Sequence, residues 1–348
     1  MGAQGVKLWE VAVGTQSVTI PAVGADNTVY VGAATSNPAP GTGKLYAFDG
    51  ATGTQKWEFP TPREIQSSPA LGANGLVYAA DLLGKVYAVD AVTGAQRWVF
   101  ATGDMVRCSP IIGADGTVFI GSFDKTLYAL DGQSGSVKWT YTTSDSVLAT
   151  PSLSADGKTL YAALASSKGT YKVYALDAAT RTEKWRSVDY GYLQSPTAVG
   201  PDGTVYACPD IVELNALDAG TGLQKWFRST GTNTGSPPAI GKDGTIYAGP
   251  FANSPYVFAL DPATGASKWA FQATSPWDSI VAPVVDGSNI VYADGGGGAL
   301  CALDGATGAK KWSLKIGDIL TSSPAIGADG HIYITASTNN IAKLVAIR

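Results

Sequence analysis

Residues 47–57 read AFDGATGTQKW, and the same phrase returns along the whole chain. Asp49, Asp90, Asp131, Asp177, Asp218, Asp261 and Asp304 are each followed eight residues later by a Trp: Trp57, Trp98, Trp139, Trp185, Trp226, Trp269 and Trp312. A period of 41 to 46 residues held over 348 residues means one supersecondary unit copied many times.

Each copy divides into four strands. A Ser-Pro lead-in such as SSPAIG (322–327) runs into a short apolar stretch, then come TVYVG-like and KLYALD-like runs, and QKWEF closes the unit. Asn74-Gly75, Asp115-Gly116, Asp202-Gly203, Asp243-Gly244 and Asp329-Gly330 sit between runs rich in Val, Ile and Tyr, which is a strong hairpin signal because both turn residues tolerate positive φ. In the second turn Asp49 is placed to accept a backbone N–H two residues on, and Gly53 supplies the left-handed conformation. Arg181 replaces that glycine in the fourth copy, so a strained or rearranged turn is expected there. Helix signals are absent. Both faces of the strands read as apolar or small, which suits four-stranded sheets stacked face to face around an axis.

Counting copies gives the closure. The lead-in occurs eight times, at Pro21, Pro69, Pro110, Pro151, Pro196, Pro238, Pro283 and Pro324, whereas the Asp-to-Trp unit occurs seven times. The eighth copy runs to KLVAIR with Arg348 in the Asp position, and VKLWEV near the other end carries Trp9 in the Trp position. The expected fold is therefore all-β: an eight-bladed β-propeller of four-stranded antiparallel blades over residues 1–348, one domain, with the N-terminal strand completing the C-terminal blade.

The repeat AxDxxTGxxxW, preceded by GxVYVGSxDGxLY, resembles the PQQ-like β-propeller repeat over residues 5–348. That family includes quinoprotein dehydrogenases, the propeller lipoprotein of the bacterial outer-membrane assembly machinery, and extracytoplasmic sensor or scaffold domains. The resemblance implies that Trp9, Trp57, Trp98, Trp139, Trp185, Trp226, Trp269 and Trp312 are packing devices between blades, and that the home is extracytoplasmic, periplasmic or secreted, with a leader removed. In the dehydrogenases of this family pyrroloquinoline quinone (PQQ) stacks between a Trp and a disulfide of adjacent cysteines, with an Asp base beside a calcium held by Glu and Asn. This chain has no adjacent cysteines and lacks the long insertions of those enzymes, although Asp104, Asp145, Asp210 or Asp294 supply carboxylates.

Composition narrows the partners. A net charge of −4 and a pI near 5.1 give no basic footprint for nucleic acid. No apolar stretch is long enough for a membrane helix, and MGAQG has no signal-peptide apolar core. Cys108, Cys208 and Cys301 fall in three non-adjacent blades and are expected to be unpaired small hydrophobes.

Function is expected where the copies differ. From the repeat Trp to the next lead-in proline the spacing is 11 or 12 residues almost everywhere, but 14 from Trp269 to Pro283, and the extra length contains Trp277. The connection between second and third strands also varies: Tyr78 to Tyr87 spans 9 residues, Tyr161 to Tyr174 spans 13 and Tyr30 to Tyr46 spans 16. In an up-and-down blade both connections emerge on one face, which marks it as the binding face. It would carry Thr15, Arg63, Asp104, Asp145, Gly191, Thr232 and Asp318, with Glu64, Gln66, Arg107, Tyr190, Tyr192, Gln194 and Asn233 nearby and Asp81, Asp124, Asp210 and Asp294 after the second strands. Ligand-binding candidates are Trp277, Arg63, Arg107, Tyr190, Tyr192, Asp104, Asp145 and Asp318; the alternative is an ordinary solvated rim.

Three function classes follow. One is a PQQ-dependent dehydrogenase with calcium. Another is a polysaccharide lyase or hydrolase, for which a Tyr190 or Tyr192 base with Arg63 or Arg107 neutralising a uronate is conceivable, since the sole histidine, His331, reads as an exposed hairpin residue. The third is a non-catalytic binding or scaffold ring for a protein, glycan or small-molecule partner, monomeric and without metal or cofactor. It asks least of the residues, because Gly295–Gly298 precede no helix and no nucleophile stands beside a positioned base.

Overall fold

The computed structural model describes residues 5–15, 19–35, 41–165, 170–190, 195–208, 213–229, 237–249, 256–274 and 281–348. They form eight antiparallel blades of a β-propeller. In the first blade the strands are Ala22–Val23, Thr28–Ala34, Gly43–Asp49 and Gln55–Thr61, in that order from the axis outward. The inner strands of neighbouring blades touch, including Ala22–Val23 of the first blade against Ala325–Ile326 of the eighth.

The second and third strands are almost wholly buried, as in Leu76–Ala80, because each is sandwiched between two neighbouring blades. The outer strands are not. Gln96–Ala101 buries Trp98 and leaves its flanking residues exposed, so the expectation that both faces of every strand are covered fails at the rim of the ring.

The turns follow their chemistry. Asp49 Oδ1 accepts from Ala51 N at 3.1 Å and Thr52 N at 2.9 Å, and Gly53 has φ +73°. That glycine also makes room: a Cβ there would come within 2.7 Å of the indole of Trp9 in the preceding blade. Arg181 keeps the same turn instead of rearranging it. Its N–H bonds Asp177 O at 2.8 Å, as Gly53 N does to Asp49 O, while its φ of +61° places an arginine in the left-handed region.

The repeat tryptophans lock blade to blade. Trp98 Nε1 donates to Gly132 O at 2.8 Å in the next blade, and Trp57, Trp139, Trp185, Trp226 and Trp269 donate to Ala91, Ala178, Ala219, Pro262 and Gly305 in the same way. Each indole also packs against a second-strand aromatic of its own blade, Tyr78 against Trp98 with centroids 5.7 Å apart. Tyr78 Oη donates to the same Gly132 carbonyl at 3.0 Å, so two donors from one blade converge on one acceptor of the next.

Closure is as expected. Lys7–Gly14 pairs antiparallel with Ile341–Ile347, Val6 and Arg348 exchange two backbone hydrogen bonds of 2.9 Å, and Trp9 Nε1 reaches Gly50 O at 2.8 Å. Gly5 takes the part of the turn glycine: it lies four residues before Trp9, as Gly53 lies before Trp57, and a Cβ on it would meet the Trp312 ring at 2.7 Å. A short extra strand, Ile319–Leu320, adds to the eighth sheet beside its second strand.

Cys108, Cys208 and Cys301 are buried in three different blades. Cys108 stands where other blades place a hydroxyl: Ser67 Oγ bonds both backbone groups of Ala80, and Cys108 Sγ does the same to Gly121. Burial pushes its thiol up to about 12, which makes it inert.

Candidate functional site

Both variable connections emerge on one face of the ring. On it the outer strand hands over to the next lead-in through a repeated turn: Thr61 Oγ1 donates to Arg63 O at 2.7 Å and Thr102 Oγ1 to Asp104 O at 2.6 Å, and Thr143 bonds Asp145 O likewise. The side chains at 63, 104 and 145 are therefore presented at equivalent places around the rim. Asp104, Asp145 and Asp318 are exposed.

Their carboxylates close local backbone. Asp104 accepts from Met105 N at 2.7 Å, Asp145 from Ser146 N at 2.8 Å and Asp318 from Asn339 N at 2.9 Å. The carboxylates after the second strands are bound more deeply still. Asp81, fully buried, accepts from Leu83 N, Lys85 N and Tyr87 Oη. Asp124 accepts from Gly103 N, Thr126 N and Tyr128 Oη, and Asp294 from Gly296 N. These groups are turn anchors. Asp81, Asp124 and Asp294, expected on the binding face after the second strands, are thus engaged by their own loops and neighbours.

Tyr190 is a second correction. It lies 9% exposed in the cluster of Tyr171, Trp185 and Val205, bridged to Tyr171 by two backbone bonds, and burial pushes its phenol up to about 12. A proton-abstracting base needs a pKa near the working pH, so Tyr190 does not suit that role. Arg107 is exposed, with its guanidinium 5.3 Å over the ring of Phe123; Arg63 is half-buried. Trp277, Tyr192, Gly191, Gln194, Asp210, Thr232 and Asn233 lie outside the described residues. His331 is half-buried rather than exposed, 2.8 Å from Asp329 and edge-on to Tyr333.

A cavity of about 570 Å³ opens at the axis, lined by the lead-ins and inner strands of blades five to eight and one. Its described lining is proline, alanine, valine, isoleucine and one serine, Ser323. Sequence reading of the rim missed it. PQQ carries three carboxylates and calcium needs six to eight oxygen ligands. Among the described lining residues none is charged, so they do not fit that pair. Nor do the described residues contain any group of three His, Cys, Asp or Glu side chains able to hold a metal.

Among the described residues no helix is long and apolar enough to cross a membrane. No curated protein matches the sequence. Solved structures share the fold: BamB from Moraxella catarrhalis at 17% identity, TM-score 0.77, covering 98% of this chain and 99% of that one. A europium-containing methanol dehydrogenase superposes at TM-score 0.81 with 14% identity over 99% of this chain and 93% of its own. The quinohemoprotein alcohol dehydrogenase from Comamonas testosteroni gives 0.78 with 16% identity over 99% and 76%. At such identities these likenesses show the fold alone, and propellers of this kind carry more than one function. A family profile matches residues 2–110, 41–185, 86–259 and 253–347, and the chain thus belongs to the PQQ-like propeller family described as outer membrane protein assembly factor BamB.

Proposed function

We propose that this chain is a non-catalytic binding ring, extracytoplasmic and monomeric, that holds a protein or glycan partner on its loop-rich face. The observation that carries this reading is the engagement of the carboxylates there: Asp81, Asp104, Asp124, Asp145, Asp294 and Asp318 accept backbone N–H groups that fix their loops. Such a rim is polar and held by its own backbone, which suits recognition, and among the described residues it leaves no acid and base pair poised over a substrate. The dehydrogenase reading lacks charged groups at the described axial lining, and the lyase reading loses Tyr190 to the core.

Arg63, Arg107, Trp277 and Tyr192 are the proposed contact residues. The test is a glycan array together with surface plasmon titration against purified outer-membrane assembly proteins, run on the wild type and on Arg107→Glu, Trp277→Ala and Lys56→Glu. Lys56 belongs to the opposite face, where it bonds Thr28 Oγ1. Binding weakened by the first two variants and unaffected by the third is expected. Binding insensitive to both loop-face variants would rule out these contacts.

A further inference from the structure

We infer that the axial cavity is a binding site for a neutral, apolar small molecule entering from the loop-rich face. The inference goes beyond the rim reading, and its failure would leave that reading untouched. It rests on one repeat position, the residue immediately before each lead-in proline.

In five blades that residue is a hydroxyl: Ser68, Ser109, Thr150, Ser195 and Ser323. At Ser68, Ser109, Thr150 and Ser323 its role is to join blades around the axis. Ile20 N donates to Ser68 Oγ at 3.1 Å, Ser68 N to Ser109 Oγ at 2.9 Å, Ser109 N to Thr150 Oγ1 at 2.8 Å, and Ala282 N to Ser323 Oγ at 2.9 Å. Each backbone N–H finds the hydroxyl of the following blade.

The other three blades carry Ile20, Pro237 and Ala282, and all three line the cavity. The loss at blades six and seven is matched. Proline has no N–H, so Pro237 needs no acceptor, and Ala282 in the next blade offers none. Removing that one donor and acceptor together is close to neutral for stability. The exchange thus opens an apolar stretch in a belt that hydroxyls link elsewhere around the axis.

The rest of the lining extends the same chemistry. Pro196, Pro238, Ile240, Pro283 and Val285 add aliphatic surface, and Ser323, the one hydroxyl among the described lining residues, is engaged by Ala282 N. Ile20 stands 40% exposed at the mouth, a large aliphatic side chain held in view of solvent. The volume of about 570 Å³ lies within the range of small-molecule sites, roughly 300–1,000 Å³. A wall whose described residues carry no charge and no free hydroxyl rewards a ligand that gives up no hydration of its own, and a charged ligand would lose its hydration without compensation.

The test uses the full chain and the neutral dye N-phenyl-1-naphthylamine, followed by its fluorescence enhancement, beside the anionic dye 1-anilinonaphthalene-8-sulfonate. Saturable binding of the neutral dye at one site is expected, with the anionic dye weaker by about 10-fold or more. Ile20→Glu should weaken the neutral dye by about 10-fold and Ala282→Ser by a smaller factor, since each places a polar group in the wall. Val92→Glu, on a turn of the opposite face where Val92 is 82% exposed, should leave binding unchanged. Circular dichroism melting of each variant reports the fold. Absence of saturable binding in the wild type, equal affinity for the anionic dye, or a folded Ile20→Glu protein that binds as the wild type does would each overturn the inference.

Discussion

Replacing Trp98 and Tyr78 separately and together measures the device that joins the blades. In the wild type the Gly132 carbonyl accepts Trp98 Nε1 at 2.8 Å and Tyr78 Oη at 3.0 Å, and both bonds are buried. Trp98→Phe removes one donor and part of a ring while Tyr78 still serves the carbonyl. The cost is one net hydrogen bond, about 0.5–1.5 kcal/mol, plus about 1 kcal/mol of lost burial. Tyr78→Phe removes the other donor with little change of shape and should cost about 1 kcal/mol. The double variant strips the acceptor of both partners, and an unsatisfied buried carbonyl costs a further 1–3 kcal/mol or so. The double variant should therefore lose at least about 1 kcal/mol more than the sum of the singles, well above the scatter of independent sites. Urea unfolding followed by far-ultraviolet circular dichroism at neutral pH provides the free energies. Additive losses within about 0.3 kcal/mol would refute the shared-acceptor account.

Two further outcomes follow from the fold. Removal of residues 1–14 uncovers the Ile341–Ile347 strand and takes away Trp9, Val11 and Val13, so the shortened chain should aggregate or lose cooperative unfolding, as gel filtration and melting would show; a monomer melting like the full chain would exclude the closure. The turn carboxylates Asp49, Asp131, Asp177, Asp218, Asp261 and Asp304 are held below their ordinary range, chiefly by hydrogen bonds from the Thr or Ser three residues on, and Asp115, with Lys138 and Thr117 beside it against the opposing effect of burial, is lowered to about 2. A depressed carboxylate adds stability that is complete above its unfolded pKa, about 3.9, and is lost as pH falls through the folded value. The melting temperature should thus be flat above about pH 5 and drop steadily toward pH 2; a flat profile across that window would contradict it.

The fold was readable because the Asp-to-Trp phrase encodes a turn and a lock in one motif. Asp49 and Gly53 dictate the turn locally, and the constant offset places each Trp opposite the glycine of the next turn, so blade count and closure follow from counting. What escaped is tertiary. Arg181 keeps the glycine turn because its backbone bond to Asp177 and the fixed neighbouring strands outweigh the strain of its φ. Asp81 and Asp124 look like rim carboxylates in one dimension, yet Tyr87 and Tyr128 reach back over them from the third strand and seal them as turn anchors. Tyr190 sits beside the rim position Gly191 in sequence, and only its pairing with Tyr171 places it in the core. The axial wall did have a signal, the hydroxyl-to-apolar exchange at Ile20, Pro237 and Ala282, which shows only when the residue before each lead-in proline is compared across blades.

The most direct test of the central claim, that the ring binds without catalysing, is titration of the full chain with PQQ and Ca²⁺ followed by dye reduction with alcohols and aldoses. The described axial lining, which carries no charge, predicts no saturable PQQ absorbance change and no substrate-dependent reduction. Stoichiometric PQQ binding with alcohol-dependent or aldose-dependent turnover would contradict the account.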